Sequence, residues 1–323
     1  MKKPGENVDE KILTLLRARP GRYLSGEDIS EQLGVSRAAL WKHIDALRRH
    51  GYKITAIQNR GYCFVSAPER LTGIEIAWGL RTRTIGKKIV AFKRTDSTNT
   101  VAEQLARDGA SAGTIVVAES QERGRGRFQR RWESPEGGIY LSIITRPELE
   151  PRLAAGITLA AAIAVAVAIR RVTGLNPRIK WPNDILIDGR KICGILTEMR
   201  AQQDKIDYCI TGIGVNVNCV SRDLPACATS VLIERNAPVS RAEITRAILE
   251  AFESEYEVLM RDFQQTVKKW KTLSDTLGRH IRVLVQHEHI SGTAIDIDEH
   301  GALILELADG SRRQIYSGDV ELV

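Results

Sequence analysis

The chain has 323 residues, too many for one ordinary domain, so two or three are expected. Its 43% hydrophobic and 27% charged residues exclude a disordered chain and fit a folded soluble protein. Five cysteines, without CxxC pairs or clustered histidine, argue against a disulfide framework or a zinc site and favour a reducing cytoplasm. The net charge of +7 is uneven: residues 1–67 hold twelve Lys+Arg against seven Asp+Glu. Such asymmetry points to a basic module that meets a polyanion. No apolar run follows Lys2 and Lys3, so no signal peptide is expected.

Residues 8–19 carry Ile12, Leu13, Leu15 and Leu16 at helical spacing, stopped by Pro20-Gly21. Ser25 is expected to cap a short helix over 27–33 that Gly34 ends, and Ser36 a longer one over 37–50 closed by Gly51. This is the order of a helix-turn-helix. Leu40, Ile44 and Leu47 share the core face of the third helix, whereas Ser36, Arg37, Lys42 and Arg48 point elsewhere, toward a major groove. Two β-prone runs, 52–57 and 62–65, flank Asn59-Arg60-Gly61 and predict a hairpin wing with Arg60 at its tip. The alternative is a winged helix used for protein contacts; the charge excess favours DNA. Gly34-Val-Ser-Arg-Ala-Ala-Leu-Trp-Lys-His43 resembles the helix-turn-helix modules of bacterial repressors.

Beyond Ser66-Ala67-Pro68, a strand over 88–93 runs into Thr95-Asp-Ser-Thr-Asn-Thr100 and a helix over 101–108. Thr100 to Glu103 fits a capping box, and the clustered hydroxyls at a helix N-terminus also suit a polar ligand. A strand over 115–118 then delivers Gln121 and a loop holding Arg123, Arg125, Arg127, Arg130 and Arg131 with Gly124 and Gly126. Guanidinium forks match phosphate and carboxylate oxygens, and glycine lets backbone approach them. The loop reads as a lid over a small anion, with Trp132 as a stacking surface for a base. A nucleic-acid contact and a plain solvated loop are the alternatives.

A strand over 139–144 precedes residues 153–169, an alanine-rich stretch apolar on all sides, read as a buried core helix rather than a membrane span. Pro182-Asn183-Asp184 and Asp188-Gly189 then separate β-branched runs, predicting an antiparallel meander. Strict alternation along 191–199 puts Lys191 and Cys193 on one face, Ile192 and Gly194 on the other. A strand over 208–217 contains Gly212-Ile-Gly-Val-Asn216, too incomplete for a dinucleotide fingerprint. Residues 223–228 read as loop, 241–273 as largely helical, and the tail as four short strands from 281 to 316.

Asp96-Ser-Thr-Asn99, Gln121 with Gly124-Arg-Gly-Arg127, Lys180-Trp-Pro-Asn-Asp184, Arg190-Lys191 before Gly194, and Gly212-Ile-Gly-Val-Asn216 stand in the order seen in biotin protein ligases. The combination resembles that family over about 200 residues, and the basic front module makes it similar to the bifunctional class of ligase and biotin-operon repressor. The resemblance implies a multidomain α+β fold. Its parts are a winged helix-turn-helix (1–67), a central α/β ligase domain with a mixed sheet (68–274) and a small SH3-like β-barrel (275–323). It implies that biotin and ATP, with Mg²⁺, form biotinyl-5′-adenylate, and that a lysine of the biotin carboxyl carrier protein of acetyl-CoA carboxylase receives the biotinyl group.

By motif, the resemblance gives Ser97, Thr98, Asn99 and Gln121 to the ureido ring of biotin, with Gly194 beside it. Arg125, Gly126 and Arg127 form the closing loop, Lys191 bridges carboxylate and phosphate, and Trp132 stacks on adenine. Asn216, Lys180 and Asp184 lie near the nucleotide, and no residue is assigned as a metal ligand. Adenylate-linked homodimerisation on operator DNA, in the cytoplasm and away from membranes, completes the expectation. The family often has a glycine where this chain has Gln129, which questions how the loop closes. Rival readings are a lipoate or octanoate ligase, a regulator that only senses biotin adenylate, and a ligase whose front module no longer binds DNA.

Overall fold

The computed structural model describes residues 8–285 and 288–322. It forms two compact units, one ending at Arg70 and the other beginning at Leu71, three residues beyond the expected boundary.

In the first unit, α1 (Val8–Arg17), α2 (Gly26–Leu33) and α3 (Arg37–Arg49) precede the hairpin of β1 (Lys53–Ile57) and β2 (Gly61–Ser66). The caps fall where the side chains dictate. Ser25 Oγ accepts from the Glu27 amide, Ser36 Oγ from the Ala39 amide, and Gly34 ends α2 in the left-handed region at φ 67°. Ile12, Leu13, Leu16, Leu40, Ile44 and Leu47 close the core. Of the residues expected to face DNA, Arg37 and Lys42 are exposed. The other three are engaged in their own module. The Ser36 hydroxyl is spent on its cap, Arg48 Nε donates to the Ile54 carbonyl of β1 at 2.9 Å, and the Arg60 guanidinium lies over the Tyr23 ring at 5.1 Å. Trp41, between Arg37 and Lys42 on the outer face, is 56% exposed.

The second unit opens with α4 (Gly73–Ala77), then β3 (Lys88–Thr95), α5 (Thr98–Arg107), β4 (Thr114–Gln121), β5 (Ile139–Thr145) and α6 (Ala155–Thr173). A meander of β6 (Arg178–Lys180), β7 (Asp184–Ile187), β8 (Arg190–Gln202) and β9 (Lys205–Val215) follows. These seven strands form one sheet in the order β3-β4-β5-β9-β8-β7-β6, with β3 and β4 parallel and the other pairs antiparallel. The sheet is mixed, as the family resemblance implies.

Two local expectations are corrected. Helix α5 begins at Thr98, so Thr100 and Glu103 lie within it and form no capping box. The Thr98 amide is instead satisfied by Gln121 Oε1 at 2.8 Å, while Glu103 pairs with Arg107 one turn later. Alternation along β8 also fails, because the β7–β8 register slips: Ile185 pairs with Cys193 but Leu186 with Lys191. The extra residue brings Lys191 and Gly194 to one face and buries Ile192 and Cys193 together.

Residues Pro151–Thr173 are long and apolar enough to cross a membrane, with a mean hydropathy of 2.1 over an 18-residue window. Most of α6 is nevertheless buried in the core of this unit, packed against α8 (Arg241–Arg261) and α9 (Phe263–Leu273), which break at Asp262. Short α7 (Val231–Arg235) follows the expected loop. The buried pair Arg241–Glu119 (2.8 Å) ties α8 to β4, and Glu119 also accepts from the Leu71 amide.

The tail forms a five-stranded antiparallel sheet of β10 (His280–Val285), β11 (Glu288–Ile297), β12 (Leu303–Glu306), β13 (Arg312–Ile315) and β14 (Asp319–Leu322), ordered β13-β12-β11-β10-β14. Its Ile281, Val283, Leu303 and Leu305 belong to the same hydrophobic cluster as Ile157, Leu159 and Trp181. Trp181 Nε1 donates across the junction to the Gly301 carbonyl at 3.0 Å.

Candidate active site

A cleft opens over β8 and β9. Its walls come from the N-terminus of α5, the end of β4, the arginine loop and the β14 end of the tail. Ser97, Thr98, Asn99, Gln121, Arg125, Gly126, Arg127, Trp132, Asp184, Lys191 and Gly194 all line it.

The polar end is built on α5. Thr98 donates to Gln121 Oε1 from its amide and its hydroxyl (3.1 Å), and Gln121 Nε2 donates to Ser134 Oγ at 2.9 Å. Ser142, fully buried on β5, donates to Asn99 Oδ1 at 2.6 Å and stands 2.8 Å from Thr98 Oγ1. Asn99 sits where Gly212 has no side chain; a Cβ there would stand 2.2 Å from Asn99 Oδ1. Ser97 makes no capping bond and lies at the cleft.

The loop after β4 folds back as a hairpin. The Gly126 amide bonds to Arg130 O at 2.7 Å, and the Trp132 amide to Gly124 O at 2.9 Å. Phe128 and Gln129 form its tip at φ 52° and 59°. That is the region where glycine is unstrained, so the tip needs what the family's glycine provides, and Gln129 adopts it nonetheless. The Trp132 indole lies against the cross-strand pair Gly194 and Gly214: a Cβ on the first would meet the ring at 2.9 Å, and one on the second at 2.5 Å. Lys191 Nζ stands 5.2 Å from the ring centroid and 2.6 Å from Asp184 Oδ1. The latter is a close charge pair.

The charges divide unequally. Arg123 pairs with Asp96, Arg125 with Glu198 (2.9 Å), Arg130 with Asp319, and Arg131 with Glu133. Arg127 has no carboxylate within ion-pair distance among the described residues. It donates to Gly318 O at 3.0 Å, Ser317 Oγ at 2.8 Å and Asn183 Oδ1 at 3.4 Å, and it stacks on Phe128. Burial pushes its pKa down, against the more distant carboxylates of Asp319 and Asp184. A half-buried cation held by neutral acceptors is a seat for an anion.

Residues 91–216 match the Biotin/lipoate A/B protein ligase family, residues 9–63 an HTH domain, and residues 276–323 the Biotin protein ligase C terminal domain. The chain is 38% identical to the Bifunctional ligase/repressor BirA of Bacillus subtilis over 96% of its length and 97% of that protein's. It belongs to the family of bifunctional biotin ligase/repressors. The Escherichia coli BirA is 31% identical over 98% of this chain and 97% of its own. A biotin protein ligase from Aquifex aeolicus, solved in complex with biotin and ATP, superposes with a TM-score of 0.64 at 28% identity, covering 73% of this chain and 99% of that one.

Two expected residues of this bifunctional ligase/repressor lie outside the cleft lining. Lys180 pairs across the hairpin with Asp184. Asn216 is buried and donates to the Thr229 carbonyl at 3.0 Å. Ser134, Ser142, Asn183, Glu198, Ser317 and Asp319 escaped sequence reasoning. The last two lie about 190 positions from the arginines they meet, and no local signal marks them.

Proposed function

We propose that this cleft joins biotin to ATP and passes the biotinyl group to a lysine of the biotin carboxyl carrier protein, and that the front module represses biotin genes. The observation that carries the reading is Arg127, a cation without a carboxylate partner among the described residues, which lines the cleft together with Lys191 from the hairpin after β4. A biotin carboxylate oxygen attacks the α-phosphorus of ATP, the bond to the β-phosphate oxygen breaks, and pyrophosphate leaves. An unprotonated lysine amine then attacks the acyl carbon, and AMP departs.

The protein's part is to bring two anions together, spread charge and exclude water. Arg127 and Lys191 hold the carboxylate and phosphate oxygens, while Ser97, Thr98 and Gln121 meet the ureido ring. Gly126 and Gly194 leave room, and Trp132 stacks on adenine. Lys180 and Asn216 act through Asp184 and the 229 loop rather than by contact. Asp184 and Asp319, the carboxylates of the cleft lining, would hold Mg²⁺, which would share the phosphate charge. Arg37 and Lys42 supply phosphate or base contacts to operator DNA. The adenylate favours a homodimer that spans the operator. The five unpaired thiols and the buried α6 support the cytoplasm as its compartment.

Incubation with biotin and MgATP, followed by native mass spectrometry, is expected to show retained biotinyl-adenylate. Added carrier domain should then become streptavidin-reactive. Absence of both overturns the proposal.

A further inference from the structure

Glu198 is a single carboxylate on β8 that collects two walls of the cleft on one oxygen. Its Oε2 accepts from Asn99 Nδ2 at 2.7 Å and from Arg125 Nη2 at 2.9 Å. The second Asn99 Nδ2 proton reaches Leu196 O at 3.4 Å, and Asn99 Oδ1 is taken by Ser142. Both protons of the Asn99 amide group are therefore used inside the protein, and Asn99 is 4% exposed. We propose that Glu198 is a positioning residue, which fixes Arg125 of the closing hairpin and Asn99 of α5 in one register so that the cleft takes biotin preformed.

This rests on the biotin reading of the cleft. A pair at 39% and 40% side-chain exposure contributes little to stability by itself. Its geometry is of a different kind. The Asn99 partner is buried, and Ser142 and the bare Gly212 behind it leave that side chain no other seat. Arg125 is therefore tied to the sheet rather than to another loop. Without Glu198, the hairpin keeps its contacts to Ser317, Gly318 and Asp319 at one end and loses its register at the other.

The test is a double-mutant cycle read by pyrophosphate release in the full-length protein. Glu198→Ala should raise KM for biotin about tenfold with kcat within about twofold, and Glu198→Gln should raise it less, because its amide oxygen still accepts both bonds, without the charge. The double variant Glu198→Ala/Arg125→Ala should bind biotin less weakly than the sum of the two single effects. Thermal midpoints should stay near the parent's, so that a purely structural loss is recognisable. Additive effects in the double variant, or a lowered midpoint with an unchanged KM, overturn the proposal. If Arg125→Ala alone leaves KM for biotin unchanged, it is the reading of the cleft that fails.

Discussion

The decisive residues are those with no side chain. Gly194 and Gly214 face each other across β8 and β9 and let the Trp132 indole lie on the sheet. Gly214→Ala is expected to lift the indole without disturbing the strands. KM for ATP should rise about tenfold, with an unchanged far-UV circular dichroism spectrum; an unchanged KM would remove Trp132 from the nucleotide site. The glycines stand out in the sequence as Gly-x-Gly and as a strand glycine, but what occupies the space does not. Close approach of a backbone is a property of the partner, and Trp132 lies about 60–80 positions away from them. The same holds for Lys191. Its chemistry is legible from its motif, but its face is not, because a one-residue bulge in β8 reverses what alternation dictates.

At the scale of elements, helices of two turns or more were readable and shorter ones were not, although Thr72 and Ser230 cap them. Ser25, Ser36 and Gly34 mark their helix ends, whereas α4, α7 and β14, of four or five residues each, carry too little periodicity to announce themselves. Two predictions belong here. Arg48 holds β1 through its Nε, so Arg48→Ala should lower the thermal midpoint of the front module. Lys42→Ala should leave that midpoint alone and reduce the salt slope of operator binding by about one. Equal salt slopes in the two variants would contradict this division.

Helix α8 clamps the turn at 83–85 through Glu253. Burial works against its carboxylate, but the amides of Ile85, Arg83 and Thr84 outweigh it and hold its pKa below the ordinary range. A depressed folded value means stability that is present above the unfolded value and lost as pH falls. Glu253→Gln should therefore melt earlier than the parent at pH 7, and the gap should close as pH drops through the carboxylate range. A gap independent of pH would show that packing, not charge, is responsible.

For the whole molecule, the order of modules was legible from charge asymmetry, the arginine loop and the change to short strands, and the ligase family from five ordered motifs. How far the tail is independent was not, since a shared core is a matter of contacts. Ile281, Val283, Leu303 and Leu305 close the same cluster as Leu159 and Trp181. A chain ending at residue 274 should thus expose that cluster and be recovered as aggregate or molten protein rather than as a weakened enzyme. A soluble, cooperatively melting truncation would refute this. Ligand-linked pairing is tested by size-exclusion chromatography with and without biotin and MgATP, where a shift toward dimer is expected. The adenylate can favour the pair only by its differential affinity for the two states. An unchanged elution volume at concentrations that saturate the cleft would remove the dimer from the repression scheme.

The seating of one indole on two bare backbones also constrains how this chain can drift. A methyl group gained at either position evicts the ring, and a smaller ring at position 132 leaves a void over both strands. The three sites are thereby locked in sequence space: a lineage that changes one is expected to change another in the same step or soon after. A library randomised at 132, 194 and 214 together should return active combinations that single-site libraries never reveal.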